Sequence, residues 1–200
     1  MMMIRRLPVS IATAVLLLAL PGCVSLGPKP PKELLGLTSD AKVPAGQSRT
    51  VSDKQAISVA LPALPPQLRN NRIAVQSGAN FAYLPKAAWV DTPSQMFRAV
   101  LAETIEAKTG RFVPDQRNAA ITPDTRLGGT LIAFQLLGGQ GRVLVVFDAT
   151  LSKSGSDQIQ TRRFEANAPV GEEEPAGVTS ALNRAANAVA GDVADWVGGS

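Results

Sequence analysis

Between residues 55 and 84, hydrophobic and polar residues alternate in short segments. The period of two is that of a half-buried β-strand. In the first such segment Ile57, Val59 and Leu61 alternate with smaller or polar residues, and a proline-rich stretch then ends the pattern. Two further short segments follow, and a turn of the composition Ser-Gly-Ala-Asn separates them. The pattern predicts three short strands, over residues 55–61, 71–76 and 81–84.

Longer apolar segments in the second half of the chain predict a meander of three strands. Residues 127–137 and 142–152 are separated by the turn sequence Gly-Gly-Gln-Gly, and Ser-Gly-Ser leads from the second segment into residues 158–166. The segment 142–152 is apolar on one face and partly apolar on the other. We therefore expect it to be a central strand, or a strand covered on both faces for part of its length.

Two segments have the helical period of three to four residues. Thr92 and Gln95 can form a capping box, Pro93 suits the first helical position, and Gly110 ends the pattern, so we predict a helix over 93–109. Apolar residues from Val178 onward predict a second amphipathic helix. The order of elements predicts an α+β fold: a mixed, mostly antiparallel sheet with two helices packed on one face.

The amino terminus has a different pattern, that of an export signal. Arg5 and Arg6 precede an apolar run over residues 11–20, which predicts a leader over residues 1–22. Its end, Leu20-Pro21-Gly22-Cys23, resembles the bacterial lipobox, in which Leu20 and Gly22 are recognised by the signal peptidase. We expect Cys23 to carry diacylglycerol and an N-linked acyl chain such as palmitate. The alternative is a secreted protein with a free thiol.

Lipidation of Cys23 predicts where the protein is located and how its parts are arranged. Several acyl chains hold a protein durably on a membrane. Because Val24 rather than Asp follows the cysteine, the resemblance to lipoprotein sorting points to the periplasmic face of the outer membrane. Residues 23–33 contain Gly-Pro-Lys-Pro-Pro-Lys and predict a semi-rigid tether. Residues 34–200 then form a single periplasmic domain.

Composition excludes several functional classes. The chain is 45% hydrophobic and 18% charged, which is typical of a globular protein, and no apolar run after residue 22 is long enough to span a bilayer. Without Arg5 and Arg6 the 20 basic residues become 18 against 16 acidic ones, a net charge of +2 that does not indicate nucleic-acid binding. Histidine is absent, and Cys23 is the single cysteine. We expect no catalytic residues, no metal and no cofactor beyond the covalent lipid.

A few residues remain as candidate sites. Phe81, Tyr83 and Trp89 lie close together in a chain with 4% aromatic residues, and they are candidates for contact with a partner or a lipid, although filling of the core is the favoured interpretation. Arg162-Arg163 can meet lipid phosphate or protect a sheet edge. We interpret the remaining polar or glycine-rich clusters as turns or solvated surface: Gly128-Gly129, residues 138–141, Glu172-Glu173-Glu174, and the pair Asp192 and Asp195.

Several segments together resemble the ABC-type transport auxiliary lipoprotein family, the PqiC-like proteins. Besides the lipobox, they are Val59-Ala60-Leu61-Pro62, residues 68–75, Tyr83, residues 89–93 (Trp-Val-Asp-Thr-Pro), residues 127–134 and the terminal Trp196-Val197. The resemblance implies a non-catalytic component of an MCE-type ABC lipid transport system. Its partners would be an MCE-domain protein with a permease and an ATPase, and it would dock the MCE protein or receive the lipid at the membrane. A phospholipid ligand and a homo-oligomer stay open.

Two other functions remain as alternatives. One is a lipoprotein that regulates envelope or peptidoglycan assembly, because such proteins also combine a tether with a small α/β domain. The other is a hydrolase that uses paired carboxylates such as Asp91 and Asp148. The second alternative requires the structure to bring two buried carboxylates together.

Overall fold

The computed structural model describes residues 33–46, 48, 50–115 and 121–199. Leu20, Gly22 and Cys23 lie outside the described residues, as does the predicted tether up to residue 32. The described chain forms six strands and two α-helices, with short 3₁₀ turns at Asp53–Gln55 and Pro66–Leu68. In chain order they are β1 (Ile57–Val59), β2 (Ala74–Ser77), β3 (Asn80–Tyr83), α1 (Pro93–Thr109), β4 (Thr125–Leu137), β5 (Arg142–Lys153), β6 (Ile159–Pro169) and α2 (Pro175–Gly198).

The six strands form one mixed sheet. Its order is β3-β2-β4-β5-β6, and β1 pairs with β4. The strands β1 and β2 run parallel to β4, whereas the β2–β3, β4–β5 and β5–β6 pairs are antiparallel. Both the predicted α+β fold and the three-strand meander are confirmed, and β5 is central in the sheet as expected.

The first strand, β1, is shorter than the predicted strand over 55–61 because prolines interrupt the hydrogen bonding. The strands β1 and β2 pair with opposite ends of β4, and Ala63 forms an isolated bridge with Thr130 between them. Its N–H donates to the carbonyl of Gly129, and its carbonyl accepts from Leu131. Pro62, Pro65 and Pro66 have no N–H to add to this ladder, so one long strand is replaced by two short ones.

Local signals define both ends of α1. The helix begins at Pro93, with Thr92 as its N-cap residue, and it ends at Gly110, whose φ of +70° is the left-handed conformation that favours glycine. The predicted capping box is wrong, because the side chain of Thr92 makes no capping hydrogen bond. In a capping box, the side chain of Gln95 would accept a hydrogen bond from the N–H of Thr92. That N–H instead donates to the Asp91 carboxylate at 2.6 Å.

Both helices lie on the same face of the sheet. The helix α2 packs on β4, β5 and β6, and α1 packs on α2 and β1. Three aromatic contacts join the layers: Phe97 with Phe147, Phe164 with Trp196, and Trp89 with Phe134, at centroid distances of 5.4–5.6 Å. The buried face of α2 consists of alanine, valine and leucine, and small residues let the two helices approach closely.

A strap formed by residues 35–42 binds across the outside of the helices. The N–H of Thr38 donates to Asn183 Oδ1, while Asn187 accepts from the N–H of Asp40 and donates to the carbonyl of Thr38, each at 2.8 Å. Two asparagines one turn apart on α2 therefore provide the hydrogen bonds that a neighbouring strand would otherwise supply.

Candidate partner-binding face

Two of the three candidate contact residues, Phe81 and Tyr83, lie on the sheet face opposite the helices. Because side chains alternate along a strand, the register assigns Phe81 and Tyr83 of β3 to the face that also carries Gln76, Gln135 and Asp148. No described helix packs on this side. We call it the open face, because no described helix covers it: the side-chain face of Phe81, Tyr83, Gln76, Gln135, Leu144, Val146 and Asp148. Gln135 and Val146 are themselves buried, so the accessible part lies toward the edges of the sheet.

Phe81 is the exposed apolar residue at the β3 edge of the open face. Its side chain is 44% exposed, although a phenylalanine usually loses most of its surface on folding. Beside it, the side chains of Gln76 and Gln135 are joined by a hydrogen bond from Gln135 Nε2 to Gln76 Oε1. An exposed apolar ring therefore lies next to two hydrogen-bonded side-chain amides. Protein interfaces combine apolar and polar groups in this way.

Tyr83 is held in one orientation by three neighbours. Its hydroxyl accepts a hydrogen bond from Asn70 Nδ2 at 2.9 Å and donates to the carbonyl of Gln67 at 3.2 Å. The Arg72 guanidinium lies over the ring, 4.3 Å from its centroid, in cation–π geometry. Sequence reasoning missed Asn70 and Arg72, and the signal available was their position directly before the strand that pairs with β3.

Trp89, the third candidate contact residue, lies in the core. Its side chain is completely buried, its ring packs against Phe134, and its backbone N–H donates to the carbonyl of Asn71. A side chain in this position cannot reach a partner without unfolding of its surroundings. The interpretation of core filling therefore applies to Trp89, while Phe81 and Tyr83 remain at the surface.

The two arginines of β6 lie on an edge strand and make different contacts. Arg163 donates two hydrogen bonds to the Asp148 carboxylate, each of 2.6 Å, and Arg162 lies over the ring of Phe164 at 5.0 Å. The hydrogen bonds from Arg163 hold the pKa of Asp148 below its ordinary value. Asp148 is therefore an ionised partner of arginine at the surface.

The carboxylate-pair alternative finds no support in this arrangement. Asp148 binds Arg163, and Asp91 accepts from the backbone of Thr92. Among the described residues, the buried polar side chains are serine, threonine and glutamine, and none is a carboxylate. The same part of the chain contains no group of three or more metal-ligating side chains.

A polar cleft of about 770 Å³ lies at the end of the sheet where α1 ends and β4 begins. Lys54, Arg111, Lys153 and Asp124 contribute charges to its walls, and Leu151 is the single apolar residue among those described there. Arg111 is fixed by a hydrogen bond from its guanidinium to the carbonyl of Ala56 at 3.1 Å. An acyl chain would meet charged walls in this cleft, so the cleft is a poor surface for a lipid tail.

Comparison with known proteins identifies the family. A family model described as the ABC-type transport auxiliary lipoprotein component matches residues 37–194, which is most of the chain. The chain belongs to this family. The resemblance inferred from the sequence motifs is thereby confirmed, and the chain is a member of a family of lipoproteins that assist ABC-type transport.

Solved structures show the same fold as this auxiliary lipoprotein. Protein XCC0632 from Xanthomonas campestris, assigned to DUF330, has a TM-score of 0.67 at 18% identity, and the match covers 82% of this chain and 94% of that one. The crystal structure of an uncharacterised protein has a TM-score of 0.64 at 15% identity and covers 82% and 99% of the two chains. A search of curated proteins found no match.

The described part of the auxiliary lipoprotein contains no helix that is both long and apolar enough to cross a bilayer. Attachment through Cys23 stays a prediction, because Cys23 and the recognition residues Leu20 and Gly22 are outside the described residues. What the structure adds is the place where the chain enters the fold. Leu35, the first residue of the strap, pairs with Trp89 there.

Proposed function

We propose that this protein is a membrane-anchored, non-catalytic component of an MCE-type ABC lipid transport system, located at the periplasmic face of the outer membrane. The family match over residues 37–194 carries the proposal. The leader and Cys23 supply the anchor, the proline-rich tether supplies reach, and the folded domain supplies a binding surface. Hydrolysis of ATP belongs to the partner ATPase in this scheme.

The open face is the surface that docks the MCE protein in this proposal. The exposed ring of Phe81 lies at its β3 edge, where the face is accessible. Aromatic side chains of this kind dominate the binding energy of protein interfaces. The oriented Tyr83 and the stacked Arg72 lie next to it, and both residue types are enriched at such contacts.

Purification of partners tests the transport role. We would crosslink membranes, purify the lipidated full-length protein and identify the recovered proteins and lipids by mass spectrometry. We expect an MCE-domain protein together with its permease and ATPase, with phospholipid in the same fraction. Recovery of a peptidoglycan synthase in their place would contradict the proposal and assign the protein to the envelope regulators.

A matched pair of variants tests the docking face in the same experiment. Phe81→Ser removes the exposed ring at the β3 edge, and Ile159→Ser removes an apolar residue of greater exposure, 63%, from the β6 edge of the same face. We expect Phe81→Ser to lower recovery of the MCE protein about tenfold, a loss of about 1.4 kcal/mol, and Ile159→Ser to leave it unchanged. Equal recovery with both variants would refute the β3 edge of the open face as the docking site.

A further inference from the structure

The point at which the tether enters the fold lies beside the segment that precedes α1. Leu35 is the first residue that pairs with the domain: its N–H donates to the carbonyl of Ala88 at 2.9 Å, and its carbonyl accepts from the N–H of Val90 at 2.7 Å. This parallel bridge joins Leu35 to Trp89, which is completely buried. The direction of the chain at Leu34 is therefore fixed by the core.

Two apolar side chains next to this bridge point away from the core. Successive side chains alternate across an extended segment, so Leu34 and Val90 face outward where Leu35 and Trp89 face inward. Leu34 is 59% exposed and Val90 is 60% exposed. Of the three most exposed large apolar side chains in the described ranges, two therefore lie together where the tether begins, and the third is Ile159 on β6. An isolated exposed apolar residue is ordinary, but a pair at this place needs a reason.

The charged residues in the same segments do not favour a positive surface. Glu33 and Asp91 are each adjacent to one of the two apolar residues, and the exposed Lys86 lies in the turn between β3 and Trp89. Contact of this surface with a membrane therefore depends on its apolar side chains.

We propose that Leu34 and Val90 form a tether-end surface that rests on the bilayer holding Cys23. This inference depends on the anchor of the proposed function. From Cys23 to Leu34 there are eleven residue steps, which span about 40 Å at most when fully extended, so this end of the fold stays within that distance of the bilayer. The apolar pair enters the membrane interface.

A weak contact is sufficient for this role because the tether supplies a high effective concentration. Burial of two side chains gives little affinity to a free protein, but the same contact becomes an intramolecular event once the lipid anchor is in place. The contact of the tether-end surface with the bilayer orients the domain. A domain held by the tether alone rotates freely, whereas one that also rests on the tether-end surface presents its open face in a defined direction.

Site-specific fluorescence on vesicles tests the proposal. The Cys23 thiol is consumed by lipidation, so Val90→Cys and the control Ile159→Cys each introduce a single reactive thiol into the full lipidated protein. We would attach an environment-sensitive fluorophore and reconstitute each variant into vesicles that contain phosphatidylglycerol and a lipid-borne quencher. We expect quenching of the fluorophore at position 90 to be at least about fivefold greater than at position 159, with a blue-shifted emission.

The apolar contribution is tested by Leu34→Ser in the Val90→Cys background. We expect this change to lower quenching at position 90 at least about twofold in the same vesicles. Equal quenching at positions 90 and 159 would overturn the tether-end surface while leaving anchor and transport role intact. A protein that fails to float with vesicles and reacts with maleimide at Cys23 would instead overturn the anchor, and this inference with it.

Discussion

Gly129 lies in β4, packed closely against the backbone of β5. Its φ is +147°, and a Cβ atom added there would lie 2.1 Å from the carbonyl oxygen of Asp148 and 2.9 Å from the ring of Phe147. Both neighbours belong to a central strand and cannot move aside. This glycine therefore has a structural role that its neighbour Gly128 does not share, since a Cβ at Gly128 meets only Ala60 at 3.9 Å.

We expect Gly129→Ala to lower the free energy of unfolding by about 3 kcal/mol, because it adds a clash with a central strand to an unfavourable backbone conformation. Gly128→Ala is the matched control, and its effect should stay below about 1 kcal/mol. Urea denaturation followed by tryptophan fluorescence measures both. Equal shifts in the two midpoints would contradict the assignment of close packing to Gly129.

The ion pair of Asp148 and Arg163 makes part of the stability depend on pH. Because Arg163 lowers the native pKa of Asp148 below the ordinary value of 3.8, the pair stabilises the fold above that value, and the contribution is lost as pH falls through the native pKa. Both side chains are more than one third exposed, so solvent screens the interaction. We expect Asp148→Asn to cost less than about 1 kcal/mol at pH 7 and the difference to shrink below about pH 4.

Arg163→Gln supplies the control for this ion pair. If the two residues act through each other, the double variant is no less stable than either single variant, and a double-mutant cycle gives the coupling. Urea titrations at pH 7 and at pH 3 measure it. Independent, additive effects of the two substitutions would show that the pair contributes nothing.

At the scale of elements, the strap over residues 35–42 is attached mainly through side chains of α2. The side chain of Asn187 donates to the carbonyl of Thr38 and accepts from the N–H of Asp40. The buried hydroxyls of Ser39 and Thr104 share a further hydrogen bond of 3.0 Å. Backbone groups held by single side chains open more easily than those of a sheet ladder. The strap is thus the element whose stability is most readily changed without effect on the sheet.

We expect Asn187→Ala to release the strap, because two hydrogen bonds to its backbone are lost, at a cost of about 1–2 kcal/mol. Hydrogen exchange followed by mass spectrometry should show faster exchange at Thr38 and Asp40 and unchanged exchange in β5. Ser180→Ala changes an exposed residue on the same helix, whose hydroxyl contacts Arg184, and should leave the strap protected. Unchanged exchange in Asn187→Ala would refute this role.

At the scale of the whole molecule, the proposed function separates into an anchor and a folded domain. The residues of the anchor precede the described part of the chain, and the core is built from residues that follow it. Removal of the lipid should therefore change where the protein is located and leave its folding unchanged.

We expect Cys23→Ala to give a folded protein that is recovered in the soluble fraction and does not restore function to a deletion strain, because the acyl chains are missing. Ser25→Ala keeps the cysteine and should stay with the membrane and restore function. Fractionation, circular dichroism and complementation measure the three properties. Full complementation by Cys23→Ala would show that the tether is dispensable.

Local sequence signals determined the elements of this protein. Proline at the first helical turn and glycine after the last turn set both ends of α1, glycine-rich turns set the meander, and alternation set the strands. These signals act between residues close in the chain, so the sequence alone contains them. The family motifs and the lipobox cysteine are equally local, which is why family membership could be inferred before the fold was known.

Tertiary structure decided which face each candidate residue occupies. Phe81, Tyr83 and Trp89 are near one another in sequence, yet one is exposed, one is held at the surface by Arg72 and Asn70, and one is buried against Phe134. The strap on α2 and the outward pair Leu34 and Val90 likewise depend on contacts between distant segments. Such contacts follow from packing across the core, and no local pattern specifies them.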